Sequence, residues 1–228
     1  MMLQKPTAIL FDLDNTLTNR RASVTQFARQ FYADFRVRHQ MRRIEDLVPI
    51  IQHADGGGYR ALDERWRGLQ KWIPWKDQPT TDELRDYWYD KLGPCAVAVD
   101  GLHDTLRALT VANITLGIIT NGPAGLQNAT MDYLNVRQYM DCTLVSGTVG
   151  VEKPDVQIYE MALAEIGLTQ ADDVWFVGDN PATDLLGAYW LGMTTVWVRG
   201  HHEWTDDGFR PDYTVDNIAE LLPIFGLS

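Results

Sequence analysis

The sequence contains little cysteine, no long apolar run and no excess of basic residues. Its two cysteines, Cys95 and Cys142, form neither a metal-binding spacing nor a disulfide framework, so we expect two reduced thiols and a cytoplasmic protein. No stretch approaches the roughly 18 consecutive apolar residues of a membrane-spanning helix. Residues 1–6 lead towards the first apolar run without the apolar region of a secretory signal. We therefore expect neither a membrane partner nor secretion.

The charge balance is acidic. With 31 acidic and 20 basic residues the formal net charge is -11, which disfavours electrostatic binding to nucleic acid or to an anionic membrane. A small anionic substrate remains compatible, provided that a metal ion and a few local donors reverse the field at its site. The 228 residues, of which 45% are hydrophobic, suffice for one large domain or for one domain with an insert. Nothing in the sequence indicates an oligomeric state.

From residue 100 onward, helical patterns alternate with short apolar runs. This alternation is typical of a parallel sheet flanked by helices. The runs that we interpret as strands are 8–10, 114–119, 142–146, 174–177, 194–198 and, as a short sixth strand, 213–215. The predicted fold is therefore α/β, a Rossmann-like parallel sheet of five to six strands. The carboxyl ends of such strands meet at one edge of the sheet, where ligands bind.

Residues 19–94 have a different texture, rich in charged and aromatic side chains. Apolar residues recur at helical spacing in this segment, so we expect an all-helical cap domain. The remaining residues, 1–18 and 95–228, form the predicted α/β core domain. The glycine-rich stretch 55–59 cannot continue a helix at reasonable cost, and we interpret it as a loop between two cap helices. Because the cap leaves the core just beyond the first strand, it is well placed to cover the sheet edge.

Two carboxylates follow the first strand. Asp12 and Asp14 are separated by one residue, so in an extended chain they project to the same side. Two acids that face one small volume repel each other unless a cation or a shared proton is present. The pair is compatible with a nucleophile and a general acid, and also with a strand end that caps a turn.

Further polar groups follow three other predicted strands. Thr120 and Asn121 precede a helix, where a hydroxyl and backbone amides can bind an anion, although an Asn-Gly pair is also ordinary turn chemistry. Lys153 precedes a helix that begins with proline and is either a phosphate-binding cation or a solvated surface residue. Asp179 and Asp184 follow the fourth strand as metal ligands or as helix caps. Each signal is weak alone.

Taken together, four motifs in this order resemble those of the haloacid dehalogenase-like (HAD) hydrolases. The first, DxDx[TV], is present at 12–16, and the second, a threonine or serine at a strand end, matches Thr120. The third, a lysine ahead of a helix, matches Lys153, and the fourth, GDxxxxD, matches 178–184. The resemblance spans residues 7 to about 198 and omits no motif. The predicted helical segment between the first two motifs resembles the helical cap of this family.

The resemblance implies a Mg²⁺-dependent phosphatase that acts through an aspartyl-phosphate intermediate on a small-molecule phosphate ester. Asp12 is the implied nucleophile. Asp14 is the implied general acid that protonates the leaving alkoxide, which requires it to carry a proton at the start, and the implied base for the attacking water. The implied phosphate ligands are Thr120, Asn121 and Lys153. The implied Mg²⁺ ligands are Asp12, the backbone carbonyl of Asp14, and Asp179. Asp184 either binds the ion through a water or steadies Asp179.

Three alternatives share parts of this pattern. A dehalogenase of the same superfamily also uses the first aspartate, but the resemblance then implies no second acid in the motif, so Asp14 favours phosphoryl chemistry. Sugar-phosphate mutases share all four motifs and the helical cap, and only assays separate them from phosphatases. A non-enzymatic phospho-acceptor switch also places acids and a lysine at the edge of a parallel sheet, but such modules are much shorter and lack a cap.

The substrate prediction depends on the cap. Its glycine-rich loop contains the candidate specificity residues Asp55, Gly57 and Tyr59, although this loop is also compatible with a simple interhelical turn. We expect most cap aromatics to pack in a core and one or two to face the cleft and stack on a ring. These aromatic residues are Trp66, Trp72, Trp75, Tyr87, Trp88 and Tyr89. Predicted substrates are nucleoside monophosphates, flavin mononucleotide or a sugar phosphate. For His201 and His202 we expect no metal role, because no third ligand has a suitable spacing.

Overall fold

A computed structural model describes residues 4–204 and 208–227 of the chain. Six strands form one sheet in the order β3-β2-β1-β4-β5-β6, and all neighbouring pairs are parallel. The strands are β1 (Ala8–Phe11), β2 (Thr115–Thr120), β3 (Cys142–Val145), β4 (Val174–Gly178), β5 (Thr194–Val198) and β6 (Tyr213–Val215). This sheet confirms the predicted α/β, Rossmann-like fold class, including the short sixth strand.

Helices flank the sheet, as the alternation of patterns predicts. They are α1 (Arg20–Asp34), α2 (Ile44–Asp55), α3 (Leu62–Trp72), α4 (Thr81–Lys91), α5 (Leu102–Val111), α6 (Ala124–Tyr133), α7 (Ser146–Val149), α8 (Val156–Glu165), α9 (Leu186–Trp190) and α10 (Leu221–Ile224). Ser146, which we expected to end β3, instead begins α7. Within residues 4–204 and 208–227, no helix combines the length and the apolar character needed to cross a bilayer.

The central strands β1 and β4 are apolar and buried along their whole length. Because helices cover both faces of a parallel sheet, such strands read as continuous apolar runs rather than as alternating patterns. The ladder continues for one residue past β1, since the N–H of Asp12 donates to the carbonyl of Val177 at 2.9 Å. This bond fixes the backbone of the first motif against β4.

Helices α1 to α4 lie within residues 19–94, in agreement with the helical patterning of this segment. The side chain of Asn19 caps α1, and Thr80 caps α4 in a reciprocal capping box with Glu83. The interior of this segment is aromatic: the ring of Phe27 lies 4.6 Å from that of Trp88. These contacts belong to a third hydrophobic cluster, which is formed mainly by the helical segment and includes Leu126 of α6, beside the two clusters that cover the sheet.

The helical segment leaves and re-enters the sheet region through adjacent backbone. Thr18 and Ala98 form an isolated antiparallel bridge, and the N–H of Asn19 donates to the carbonyl of Val97 at 2.7 Å. The two connections therefore lie side by side, just beyond the first motif.

The strand order reverses between β1 and β4, because the chain builds β2 and β3 on one side of β1 and β4 to β6 on the other. In open α/β sheets, the crevice at such a reversal is where ligands bind. The residues that follow β1 and β4 flank this crevice, and they are the first and fourth motifs.

Candidate active site

Asp12 lies at the centre of a buried ionic cluster. The Nζ of Lys153 donates to Asp12 Oδ1 at 2.6 Å and lies 2.8 Å from Asp184 Oδ1. The side chain of Lys153 is only 1% exposed, so this lysine is an internal cation and not the solvated surface residue of the alternative interpretation. Lys153, which follows β3 in the chain, thus contacts carboxylates that follow β1 and β4.

The turn after β4 places Asp179 and Asp184. The carboxylate of Asp184 folds back to accept the N–H of Asn180 at 3.0 Å, and the hydroxyl of Tyr159 donates to the backbone carbonyl of Asp184 at 2.8 Å. Gly178 allows this closure, because a Cβ there would lie 2.5 Å from the Cβ of Asp184. The glycine of the fourth motif is therefore required by its close packing against the side chain of Asp184, six residues further along the chain.

The cluster has an excess of negative charge. Burial, followed by repulsion from Asp184, raises the pKa of Asp12, although Lys153 opposes the shift. Burial and then repulsion from Asp184 and Asp12 raise the pKa of Asp179. With the three acids ionised and Lys153 protonated, the local charge is -2, which one divalent cation would neutralise.

The donor set suits a hard divalent cation. Asp12, Asp179 and Asp184 are buried, and each offers a carboxylate oxygen within 4.8 Å of the others. Oxygen ligands from carboxylates, completed by water, are what Mg²⁺ prefers in proteins. The residues present therefore fit the Mg²⁺ that the sequence motifs imply.

A cavity of about 160 Å³ opens onto the cluster. Besides the carboxylates, its walls include Thr120, Asn121 and Lys153. The side chain of Asn121 is held by the backbone of Lys153 in both directions: its Nδ2 donates to the carbonyl and its Oδ1 accepts the N–H, each at 2.9 Å. Gln127, which the sequence analysis did not single out, donates to the Thr120 hydroxyl oxygen at 2.7 Å. The predicted phosphate ligands thus converge on one small volume.

Asp14 lines the same cavity but has different partners. The Nη1 of Arg20 lies 2.7 Å from Asp14 Oδ2, and the Nε2 of Gln127 donates to the same oxygen at 3.2 Å. The Thr18 hydroxyl makes a longer contact of 3.4 Å with Asp14 Oδ1. Arg20 and Gln127 are therefore the closest polar neighbours of the Asp14 carboxyl group, whose role as acid and base stays a prediction.

The glycine-rich loop of the helical segment covers this site. The hydroxyl of Tyr59 donates to both carboxylate oxygens of Asp179, at 3.0 and 3.1 Å, and burial raises the pKa of this phenol. The carbonyl of Gly57 accepts a bond of 3.2 Å from the Nδ2 of Asn15. Gly57 and Tyr59 therefore lie at the cavity, whereas Asp55 is 2% exposed and its carboxylate is paired with Arg20.

A second cavity of about 350 Å³ adjoins the first, and Gly57 and Tyr59 line both. Its other walls include Arg21 and Gln52 from the helical segment and His202 from the loop after β5. The ring of His202 packs edge-on against Tyr59 at 4.1 Å, and burial lowers the pKa of this imidazole. Sequence reasoning missed these residues, since only the fold brings the loop after β5 to the glycine-rich loop.

The six aromatic residues of the helical segment that the sequence analysis names do not line either cavity among the residues that the structure describes. Trp66 packs edge-on against Trp88 at 5.6 Å, and Trp88 is fully buried. Tyr87 donates its hydroxyl to Asp34 at 2.6 Å on the outside of the segment. These side chains pack as we expected for most of them, but none of the six faces either described cavity. The aromatic residue of the helical segment that lines both cavities is Tyr59.

Comparison with known proteins agrees with the motifs. The family profile of the haloacid dehalogenase-like hydrolases matches residues 6–192. The chain therefore belongs to this family, and it is a hydrolase.

Its relatives include several phosphatases. Pyrimidine 5′-nucleotidase YjjG of Escherichia coli (strain K12) is 28% identical over 93% of this chain and 95% of its own length. Phosphoserine phosphatase of Thermus thermophilus is 32% identical over 94% of this chain and 97% of its own length. Among solved structures, the HAD-hydrolase YfnB of Bacillus subtilis, bound to magnesium, covers 98% of this chain and 100% of its own at 19% identity, with a TM-score of 0.81. The structural likeness shows the shared fold.

The metal-free protein is expected to lose stability from about pH 4 to about pH 9. Asp12 and Asp179 bind protons more tightly in the folded than in the unfolded chain, because the folded structure raises their pKa values from 3.8 to about 7 and about 9. The stability that these protons contribute is complete below the unfolded pKa and is lost as the pH rises through the folded values. The melting temperature in the presence of a chelator should fall accordingly.

Saturating Mg²⁺ should oppose this loss, because the ion takes the place of the protons. At a hundredfold excess over its Kd, binding contributes roughly 2.7 kcal/mol, or about 5–10 °C in the melting temperature. Asp179→Asn should flatten both the pH dependence and the Mg²⁺ response. Asp172→Asn, at an exposed carboxyl before β4, is the matched control and should retain both. A melting temperature that rises with pH in chelator, or is indifferent to Mg²⁺, would contradict the assignment.

Proposed function

We propose that this protein is a Mg²⁺-dependent phosphatase that hydrolyses a small-molecule phosphate monoester through an aspartyl-phosphate at Asp12. The observation that carries the proposal is a buried ionic cluster at the 160 Å³ cavity. Asp12, Asp184 and Lys153 line this cavity, and Asp179 offers a carboxylate oxygen within 4.8 Å of those of Asp12 and Asp184. A phosphoryl group needs an in-line nucleophile and positive charge around its oxygens. Asp12 offers the nucleophile, and Lys153 together with a bound Mg²⁺ would supply the positive charge. The named phosphatases among the relatives support the same class.

In the first step, a carboxylate oxygen of Asp12 attacks phosphorus, and the bond from phosphorus to the leaving oxygen breaks. Lys153, the Thr120 hydroxyl and the Asn121 amide hold the remaining phosphoryl oxygens and offset their growing charge. Asp14 gives the leaving oxygen a proton. In the second step, water attacks phosphorus, Asp14 takes the proton of that water, and the bond between phosphorus and Asp12 breaks.

Mg²⁺ would be held by Asp12, Asp179 and the backbone carbonyl of Asp14, with Asp184 as a further ligand or as support for Asp179. When bound, the ion supplies positive charge for the phosphoryl oxygens and keeps the Asp12 carboxylate ionised. Two unpaired thiols, Cys95 and Cys142, support the expected cytoplasmic location.

We propose that residues 19–94 act as a cap whose glycine-rich loop completes the site. The 350 Å³ cavity that shares Gly57 and Tyr59 with the catalytic cavity suits a leaving group as large as a nucleoside. Asp55 is the one acidic residue among the described residues that line the 350 Å³ cavity, and its carboxylate is already paired with Arg20. A leaving group with a free ammonium would therefore find no unpaired carboxylate in this cavity. A neutral leaving group with hydrogen-bonding edges is favoured, as in nucleoside monophosphates, flavin mononucleotide or a sugar phosphate.

The test is phosphate release with Mg²⁺ across pyrimidine and purine nucleoside monophosphates, flavin mononucleotide, sugar phosphates and phosphoserine. We expect turnover of a neutral-leaving-group substrate and weak or no turnover of phosphoserine. Release from phosphoserine as the best substrate would contradict the substrate class but not the chemistry. Absence of release from every compound, with Mg²⁺ binding demonstrated, would contradict the phosphatase and favour a mutase, for which isomerisation of sugar phosphates is then assayed.

A further inference from the structure

A buried chain of charges connects the helical segment to Asp14. Arg20, the first residue of α1, is 7% exposed and contacts two carboxylates. Its Nη1 lies 2.7 Å from Asp14 Oδ2, and its Nη2 and Nε donate to Asp55 at 2.8 and 3.0 Å. Asp55, at the end of α2, lies 3.9 Å from Arg65 of α3. The order of charges is therefore Arg65, Asp55, Arg20, Asp14, with alternating sign and no net charge.

We propose that Arg20 is a positioning residue for Asp14, tying its carboxyl group to the glycine-rich loop through Asp55 and so fixing the oxygen that exchanges protons with the leaving group. This inference rests on the proposed phosphatase function. It assigns Asp55 a role through Arg20 rather than by contact with substrate.

Arg20 is not placed to bind the phosphoryl group itself. The 160 Å³ cavity is lined by Asp12, Asp14, Thr120 and Lys153 but not by Arg20 among its described residues. The guanidinium is occupied on two sides by carboxylates, which raise its pKa against the opposing effect of burial. Its effect on the reaction must therefore pass through Asp14.

The two carboxylate oxygens of Asp14 have different partners. Oδ2 is paired with Arg20 and accepts a hydrogen bond from the side-chain amide of Gln127. Oδ1 accepts a longer one of 3.4 Å from the hydroxyl of Thr18. A carboxyl group can accept from Arg20 at Oδ2 while Oδ1 carries or receives the proton. This division reconciles the ion pair with the role of Asp14 as acid and base, and it makes orientation the function of Arg20.

The glycine-rich loop is shaped around Arg20. Gly56, Gly57 and Gly58 all have positive φ, between 57° and 99°, a conformation that other residues adopt at a cost. A Cβ on Gly58 would lie 3.1 Å from Arg20 Nε, so the loop backbone packs directly against the guanidinium. Arg65 holds the same loop, donating to the carbonyl of Asp55 at 3.2 Å. The glycine-rich loop therefore contacts two acids of the site: Asp179 through the hydroxyl of Tyr59, and Asp14 through Arg20.

The experiment compares Arg20→Met with Arg29→Met, the same substitution at an exposed position of α1. Each variant is assayed with the alkyl phosphate of the substrate panel that turns over fastest and with p-nitrophenyl phosphate, whose leaving group needs little protonation. Arg20→Met should lower kcat/KM for the alkyl phosphate about 100-fold but for p-nitrophenyl phosphate less than about fivefold. The ratio kcat/KM is compared because it reports only the first step, in which the leaving group departs, and not the later attack of water that both substrates share. Arg29→Met should change neither. In an Asp14→Asn background, adding Arg20→Met should lower the remaining kcat/KM by less than about threefold.

Equal losses for both substrates, or the same loss with and without Asp14, would overturn the inference and leave Arg20 a structural role only. If Arg20→Met does not fold, Asp55→Asn replaces it, because this variant keeps Arg20 but releases it from the loop. It should show the same selective loss for the alkyl phosphate, about tenfold, and an unselective effect would overturn the inference. Failure of the unsubstituted protein on every substrate is a separate outcome, which overturns the proposed function and this inference with it.

Discussion

Asp12→Asn is expected to abolish phosphate release while the protein stays folded. Asparagine has the shape of aspartate but is a poor nucleophile, and the other carboxylate after β1, Asp14, is paired with Arg20. Turnover should fall at least about a thousandfold, since the covalent route is lost and only binding and charge stabilisation remain. The measurement is Mg²⁺-dependent phosphate release from the best substrate of the panel, with far-UV circular dichroism to verify folding.

Asp172→Asn is the matched control for this substitution. It neutralises an exposed carboxyl group before the amino end of β4, at the opposite edge of the sheet from the candidate site, and it should retain full turnover. Retention of more than a few per cent of activity by Asp12→Asn would show that the carboxylate of Asp12 is not the nucleophile.

Lys153→Met is expected to remove turnover and also to destabilise the metal-free protein. Lys153 is the cation that lies 2.6 Å from Asp12 and 2.8 Å from Asp184, and its side chain is 1% exposed. Without it, three buried carboxylates face one another, and breaking such a buried pair costs about 3–5 kcal/mol. Turnover should fall at least about a hundredfold, because one donor to the phosphoryl oxygens is gone. Thermal melting and phosphate release measure the two effects.

A double variant separates these effects. Lys153→Met with Asp184→Asn restores the charge balance of the cluster, so the melting temperature in chelator should recover most of the loss, whereas turnover should not recover. Near-normal turnover and melting by Lys153→Met alone would contradict the internal-cation role of Lys153. Recovery of turnover in the double variant would show that the lysine acts only by neutralising Asp184.

The fold and the core of the site were accessible from the sequence because local signals carry them. Buried parallel strands such as β4 read as short apolar runs, and the parallel topology then places Asp12, Lys153 and Asp179 at one edge. The strand order was not accessible, since pairing between β1 and β4 joins segments that are more than 160 residues apart. The extent of α7 was also missed, because a single helical turn has no periodicity to detect.

Residues that act through contacts between distant segments gave no signal in the sequence. Arg20 and Gln127 belong to helices of ordinary composition, and only the folded chain brings both to Asp14. The aromatic residues of the helical segment did give a signal in the sequence, but that signal did not show which way they face. Their helical spacing was visible, but whether Trp88 faces a cleft or a core depends on how the helices pack, and it is fully buried.

The most direct test of the proposed mechanism is to trap the phosphorylated carboxylate. The protein is mixed with Mg²⁺ and substrate, quenched in acid within one turnover, and treated with borohydride, which reduces an acyl phosphate to the alcohol. Peptide mass spectrometry should then locate the reduced side chain at Asp12 in samples that received substrate, and nowhere in samples that did not. Complete phosphate release without modification at Asp12 at any quench time, or modification at another carboxylate, would contradict the account.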